Sequence, residues 1–254
     1  MFDQQSYMRE YRKVYMPEYR ISHTEKFREY DRKRSYEAKL GAFNILGGPI
    51  CTGCGETGIE FLTLGHVNGN GAYDRAENTR RKIYLEITRG IRDTNDYLVQ
   101  CFNCNSGSNL ESIYSSVPTS KHAFIGGICK ICGRDKIERR SSHQKYGSRK
   151  RTECLFCIQK EKRFLREKVI DLFGGKCICC GEPRLTKLTI DHVNDDGNKK
   201  RSVDHCGTSY FYRKLLGDKI DQSLYQILCW NCNFSKYLGK GVCFHRRKEE
   251  KNGV

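Results

Sequence analysis

Leu188-Thr189-Ile190-Asp191-His192-Val193-Asn194, then a Gly- and charge-rich loop, then Gln226-Ile227-Leu228-Cys229-Trp230-Asn231-Cys232-Asn233 and Lys236, is the stretch whose reading decides the fold. An Asp-His pair ends an alternating apolar segment, and an amide follows a cysteine knuckle. A hard oxygen ligand, an imidazole and a second oxygen ligand thus fall within one short unit. That set is what metal-assisted phosphodiester hydrolysis requires.

Outward from this stretch, the chain repeats itself with a period of about 127 residues. The first copy reads Ile45-Leu46-Gly47-Gly48, Cys51-x-x-Cys54-Gly55-Glu56, Leu62-Thr63-Leu64-Gly65-His66-Val67-Asn68 and Tyr97-Leu98-Val99-Gln100-Cys101-x-x-Cys104-Asn105. The second reads Leu172-Phe173-Gly174-Gly175, Cys177-x-x-Cys180-Gly181-Glu182, the Asp191-His192 segment, and Tyr225 through Cys229-x-x-Cys232-Asn233. In both, the histidine falls twelve residues after the second cysteine and an asparagine directly follows the fourth. So many aligned positions indicate two copies of one unit.

Between the copies lies another quartet, Cys129-x-x-Cys132-Gly133 and Cys154-x-x-Cys157, joined by a loop carrying Arg149, Lys150 and Arg151. Two knuckles at that separation predict a zinc finger or ribbon without a catalytic group, with His143 a solvated loop residue. A basic helix over 158–173 should follow and end at Gly174-Gly175, as a helix C-terminus does. Near the N-terminus Tyr7, Tyr11, Tyr15 and Tyr19 recur every four residues among Arg9, Arg12, Lys13 and Arg20. That spacing puts the tyrosines on one helical face, with a break expected at Pro17 and a second helix over about 24–43. The face serves either to lay cations on phosphates or to pack tyrosines against the next module.

The chain has 254 residues, 37% hydrophobic, with a mean hydropathy of -0.70, so small units tied by something other than burial are expected. Twelve of its 15 cysteines lie in six Cys-x-x-Cys pairs. The N-terminus is Tyr- and Arg-rich with no apolar run, so no secretory signal or membrane span is read, and an odd cysteine number argues for thiolates on zinc rather than disulfides. An intracellular, reducing, cytoplasmic compartment follows as the expectation. The formal charge is +16. Twelve thiolates on three zinc ions would bring it to about +10, which still favours a polyanion partner.

Cys-x-x-Cys, Asp-His, then Cys-x-x-Cys-Asn resembles the zinc-bearing HNH, or His-Me finger, endonucleases, closest to the phage recombination endonuclease VII type. The likeness covers about residues 45–108 and 172–238. It implies a ββα unit in which Asp191 and Asn233 hold one Mg²⁺ or Mn²⁺ and His192 is the general base. Cys177, Cys180, Cys229 and Cys232 would make a closed structural zinc site, as would Cys51, Cys54, Cys101 and Cys104, and Cys129, Cys132, Cys154 and Cys157. Lys199, Lys200, Arg201 and Lys236 could meet phosphate charge, as could Arg149, Lys150 and Arg151. Asn194 stands where some relatives carry a second histidine. Gly65 replaces the aspartate in the first copy, which becomes a degenerate, DNA-binding or positioning module.

The expected fold class is therefore α+β: small zinc-stabilised units, two ββα-metal modules flanking a zinc ribbon, with basic helices. The expected organisation is a basic helical arm (1–44), a degenerate HNH-like module (45–115), a central finger (122–158), an endonuclease module (159–240) and a short, frayed basic tail (241–254). The function read is a metal-dependent endonuclease on duplex or branched DNA, with a phage or viral source implied by the likeness. RNA stays open as a partner, no membrane is expected, and whether the chain works as a dimer is left open. The alternative is a non-catalytic zinc-finger nucleic-acid-binding protein. Cys179, Cys206 and Cys243 are left over; His205 or His245 beside them suggests another metal, but free thiols are the expectation.

Overall fold

The computed structural model describes residues 3–107, 123–139, 154–196, 208–239 and 241–251. The chain divides into two compact units, one of residues 1–50 and 64–99, the other of residues 51–63 and 100–254. Among the described residues, helices and three two-stranded sheets make an α+β fold. No helix among the described residues is long and apolar enough to cross a membrane.

In the first unit α1 (Gln4–Ser22) starts at Asp3, whose carboxylate accepts from the Gln5 and Ser6 amides. This is ordinary N-capping. The helix runs through Pro17, where the sequence predicted a break, and ends instead at His23 before α2 (Thr24–Ile45). Water can satisfy the carbonyl that a proline frees on an exposed helix, whereas at the real boundary side chains compete for the backbone. There the Ser22 hydroxyl donates to the Glu18 and Tyr19 carbonyls and the Thr24 hydroxyl to that of Ile21. The tyrosines do share a face: Tyr11 stacks on Tyr7 and Tyr15 at ring separations of 6.4 and 5.1 Å. All four are exposed, and Tyr19 stacks on His23 at 4.0 Å and meets Phe27 edge to face at 6.0 Å.

The end of α2 buries Ala38, Ala42 and Phe43 against α4 (Arg80–Thr88), which contributes Ile83, Tyr84 and Ile87. Phe43 meets Tyr84 edge to face at 5.8 Å, a favoured aromatic geometry. A short α3 (Gly71–Glu77) precedes α4. Strands β1 (Leu62–His66) and β2 (Tyr97–Cys101) pair, each running from one unit into the other.

In the second unit β3 (Ala123–Ile128) and β4 (Asp135–Arg139) form an antiparallel hairpin with an irregularity between Ile125 and Ile128. The central quartet's second knuckle lies on the first turn of α5 (Leu155–Leu172), so this module is a hairpin plus a helix. The helix was expected only from residue 158; Cys154 ends the extended chain and releases it three residues earlier. It does stop where the glycines predict: Gly174 and Gly175 have φ of 91 and 70°, and the Gly175 amide returns to the Ile170 carbonyl at 2.9 Å.

Strand β5 (Leu188–His192) pairs antiparallel with β6 (Tyr225–Cys229), Asp191 opposite Gln226 and His192 opposite Tyr225. Helix α7 (Trp230–Leu238) begins at once, giving β5-β6-α7. Leu188, Ile227 and Leu228 form its core with Cys177, Cys229 and Cys232. The intervening segment was read as a loop, yet it carries α6 (Thr208–Leu216), whose Leu215 is buried with Val169 and Tyr225. The tail is likewise ordered over α8 (Phe244–Lys251), packed on α7.

Candidate metal centres and strand-end site

Each first knuckle is built the same way. The amides of Cys51, Cys129 and Cys177 take the carbonyls of Glu56, Arg134 and Glu182 at 2.8, 2.8 and 3.0 Å. The amides of Gly55, Gly133 and Gly181 return to the first cysteine's carbonyl, each at 2.9 Å. Those glycines have φ of 75, 68 and 76°, the left-handed region that a side chain disfavours. The turn, not the cysteines alone, therefore requires Cys-x-x-Cys-Gly.

The second knuckles face the first with amides on sulfur: Cys101 donates to Cys51 and Cys154 to Cys129 at 3.2 and 3.4 Å. Sulfur pairs across the quartets stand 3.6 Å apart for Cys54 and Cys101, 3.8 Å for Cys129 and Cys157, and 3.6 Å for Cys180 and Cys229. Zn–S bonds of about 2.3 Å in a tetrahedron put sulfurs about 3.8 Å apart, whereas a disulfide needs about 2.05 Å. Each of the three quartets, its sulfurs all within 4.8 Å of one another, could hold a zinc ion. Among the described residues every cysteine is free.

The middle residues of the two copies' second knuckles meet inside the second unit. The Asn103 amide donates to Asn231 Oδ1 at 2.8 Å and the Asn231 amide to Asn103 Oδ1 at 3.0 Å, both residues buried. Phe102 stacks on Phe234 at 4.6 Å beside them.

At the end of β5, Asp191 Oδ2 accepts from Gln226 Nε2 at 2.7 Å and from Lys236 Nζ at 2.8 Å. The same ammonium touches Asp195 Oδ1 at 2.8 Å and the carbonyls of His192 and Val193 at 2.8 and 3.2 Å. Four oxygens thus converge on one cation. Asp195 reaches it from a left-handed backbone, φ 56°, which aspartate tolerates better than most residues. Burial alone would lower the Lys236 pKa, but Asp191 and Asp195 outweigh it and the net shift is upward. Lys236, expected to face phosphate, is turned inward here. The His192 ring lies 4.9 Å from that of Tyr225 with planes tilted by 56°, and its Nε2 is buried with no hydrogen-bond partner among the described residues.

The first copy places its histidine equally, His66 against Tyr97 at 5.0 Å, but closes the site. His66 Nε2 lies 3.0 Å from Asp74 Oδ2, which also accepts from the Tyr97 hydroxyl at 2.9 Å. Arg92 bonds Asp74 Oδ1 at 2.8 Å and Glu86 at 2.7 Å. Burial would raise the Asp74 pKa, yet bonds from His66, Arg92 and Tyr97 hold it down at about 2. Gly71 also shuts the approach, since a Cβ there would fall 2.6 Å from His66 Nδ1.

Asn233 and Asn105 are half-buried just past their knuckles, and Asn194 is exposed. Lys199, Lys200, Arg201, Arg149, Lys150, Arg151, His143, His205 and Cys206 lie outside the described residues. Sequence reasoning missed the Asp74-Arg92 network, which joins residues 18 apart that no motif marks. It also missed that Cys179, Cys243 and His245 gather at Cys232. Comparisons of the chain with family models, with curated proteins and with solved structures find no match.

Proposed function

We propose that the protein is a metal-dependent endonuclease acting on duplex or branched DNA, with the second copy as its active module and zinc in the three cysteine quartets. The observation that carries this reading is the oxygen cradle at the end of β5, which joins the Asp191 carboxylate to His192 and accepts a cation. Its all-oxygen donor set suits a hard divalent ion. Asp191 and Asn233 would hold that ion, which would supply Lewis-acid stabilisation of the phosphoryl charge. His192, adjacent to that carboxylate, takes the proton of the attacking water. Lys236, whose ammonium lies on Asp191, would supply positive charge for the non-bridging phosphate oxygens. The quartet of Cys177, Cys180, Cys229 and Cys232 clamps β6 and α7 to the first knuckle and so fixes the site.

The test is incubation of the purified chain with plasmid or four-way-junction DNA and Mg²⁺ or Mn²⁺. Cleavage that disappears in His192→Ala while gel-shift binding persists supports the reading; no cleavage with any divalent metal sinks it. A second reading, a non-catalytic zinc-bearing nucleic-acid-binding protein, is favoured by the Lys236–Asp191 ion pair, which already neutralises the carboxylate. Competition between matched RNA and DNA at fixed salt would then name the partner.

A further inference from the structure

Cys179, Cys243 and His245 are among the residues that the repeat leaves unexplained. Cys179 is the inner residue of the Cys177-x-x-Cys180 knuckle, and Cys243 and His245 straddle the start of α8. In the structure their ligand atoms and Cys232 Sγ all lie within 4.8 Å of one another. His245 Nδ1 stands 3.3 Å from Cys232 Sγ and 3.5 Å from Cys243 Sγ. A tetrahedral ion with Zn–S of about 2.3 Å and Zn–N of about 2.0 Å separates sulfur from nitrogen by about 3.5 Å. Cys232 is at the same time a member of the quartet with Cys177, Cys180 and Cys229.

We propose that these residues form a second zinc site fused to the first, in which the Cys232 thiolate bridges two zinc ions. One ion takes Cys177, Cys180, Cys229 and Cys232, the other Cys179, Cys232, Cys243 and neutral His245. Charge favours the arrangement. The second Zn²⁺ displaces one proton each from Cys179 and Cys243, so its two charges are balanced and the cluster keeps the net -2 of a lone tetrathiolate site.

The surroundings are built to hold this geometry. Gly239 allows the chain to turn, since a Cβ there would fall 2.1 Å from the Val242 carbonyl, and Gly241 follows with φ 95°. Arg247 donates to the Gly239 carbonyl and fastens the turn to α8. The Ser235 hydroxyl accepts from the Phe244 amide at 2.7 Å and donates to Cys243 Sγ at 3.4 Å. The His245 ring lies on Phe61 at 4.4 Å with planes 22° apart, which fixes its direction. Ligand orientation by such outer contacts is typical of metal sites. The first copy has no counterpart: Gly53 occupies the position of Cys179 in its knuckle. This site is independent of whether the protein cleaves DNA.

The test uses the full chain produced with excess zinc, weighed by native mass spectrometry and assayed for metal by plasma emission. Four zinc ions per chain are expected, and three in Cys243→Ser and, separately, in Cys179→Ser, whose partly exposed position makes misfolding a lesser concern. After exchange with ¹¹³Cd, two resonances should show mutual scalar splitting through the shared sulfur, lost in either variant. Three zinc ions in the unaltered chain, a mass two hydrogens low from a Cys179–Cys243 disulfide, or four cadmium signals without splitting would each overturn the proposal.

Discussion

The two strand ends begin alike and finish differently. His66 and His192 each sit beside the tyrosine of the partner strand, at 5.0 and 4.9 Å. In the first copy Asp74, Arg92 and Tyr97 close around the imidazole nitrogen. In the second the acid is adjacent in sequence and faces a cation, and the imidazole Nε2 has no hydrogen-bond partner among the described residues. The difference teaches that a strand end can keep its histidine for structure once the neighbouring carboxylate is lost. There Asp74 holds the imidazole within a network with Arg92, Glu86 and Tyr97.

The comparison can be broken or sharpened experimentally. Removing zinc with a strong chelator should unfold both copies together, since structural zinc contributes roughly 10–16 kcal/mol in such small units; circular dichroism would show it, and survival of either copy's structure would separate them. His192→Ala should lower DNA cleavage about 10²- to 10⁴-fold, the range for a general base, while His66→Ala leaves turnover within about twofold. Equal losses at both positions would erase the distinction. Arg92→Ala should cost about 1–3 kcal/mol in urea titration by leaving the half-buried Asp74 carboxylate without its cation. A smaller effect is acid lability. The Asp74 pKa drops from 3.8 to about 2 on folding, so its contribution to stability is full above the unfolded value and is lost as pH falls through about 2. Asp74→Asn should flatten the acid limb of a pH–stability curve, and an unchanged limb would place the lability elsewhere.

The cysteine quartets and knuckle turns were legible because one residue type in one spacing, with a glycine in a left-handed turn, admits few geometries. The same holds for the glycine stop after α5. What was hidden depended on residues far apart in sequence. Asp74 and Arg92 are ordinary surface types until α3 and the turn before β2 bring them to His66. Lys236 looked like a phosphate ligand because its charge was readable and its neighbours were not. Cys243 and His245 follow the last knuckle in a basic tail, with no second pair to mark them, and only the turn at Gly239 and Gly241 returns them to Cys232. Pro17 misled for the opposite reason: a strong local rule yielded to an exposed helix that tolerates a missing amide.

The reciprocal amides of Asn103 and Asn231 carry a consequence for how this chain can change. Each carboxamide completes the other's main chain, so a mutation at either position orphans a buried donor in the opposite knuckle, at about 1–3 kcal/mol. The Phe102–Phe234 stack and Lys187 on Cys104 Sγ tie the same two copies together. The main chain of each knuckle thus depends on a side chain 128 residues away, so neither asparagine can change without a matching change at the other.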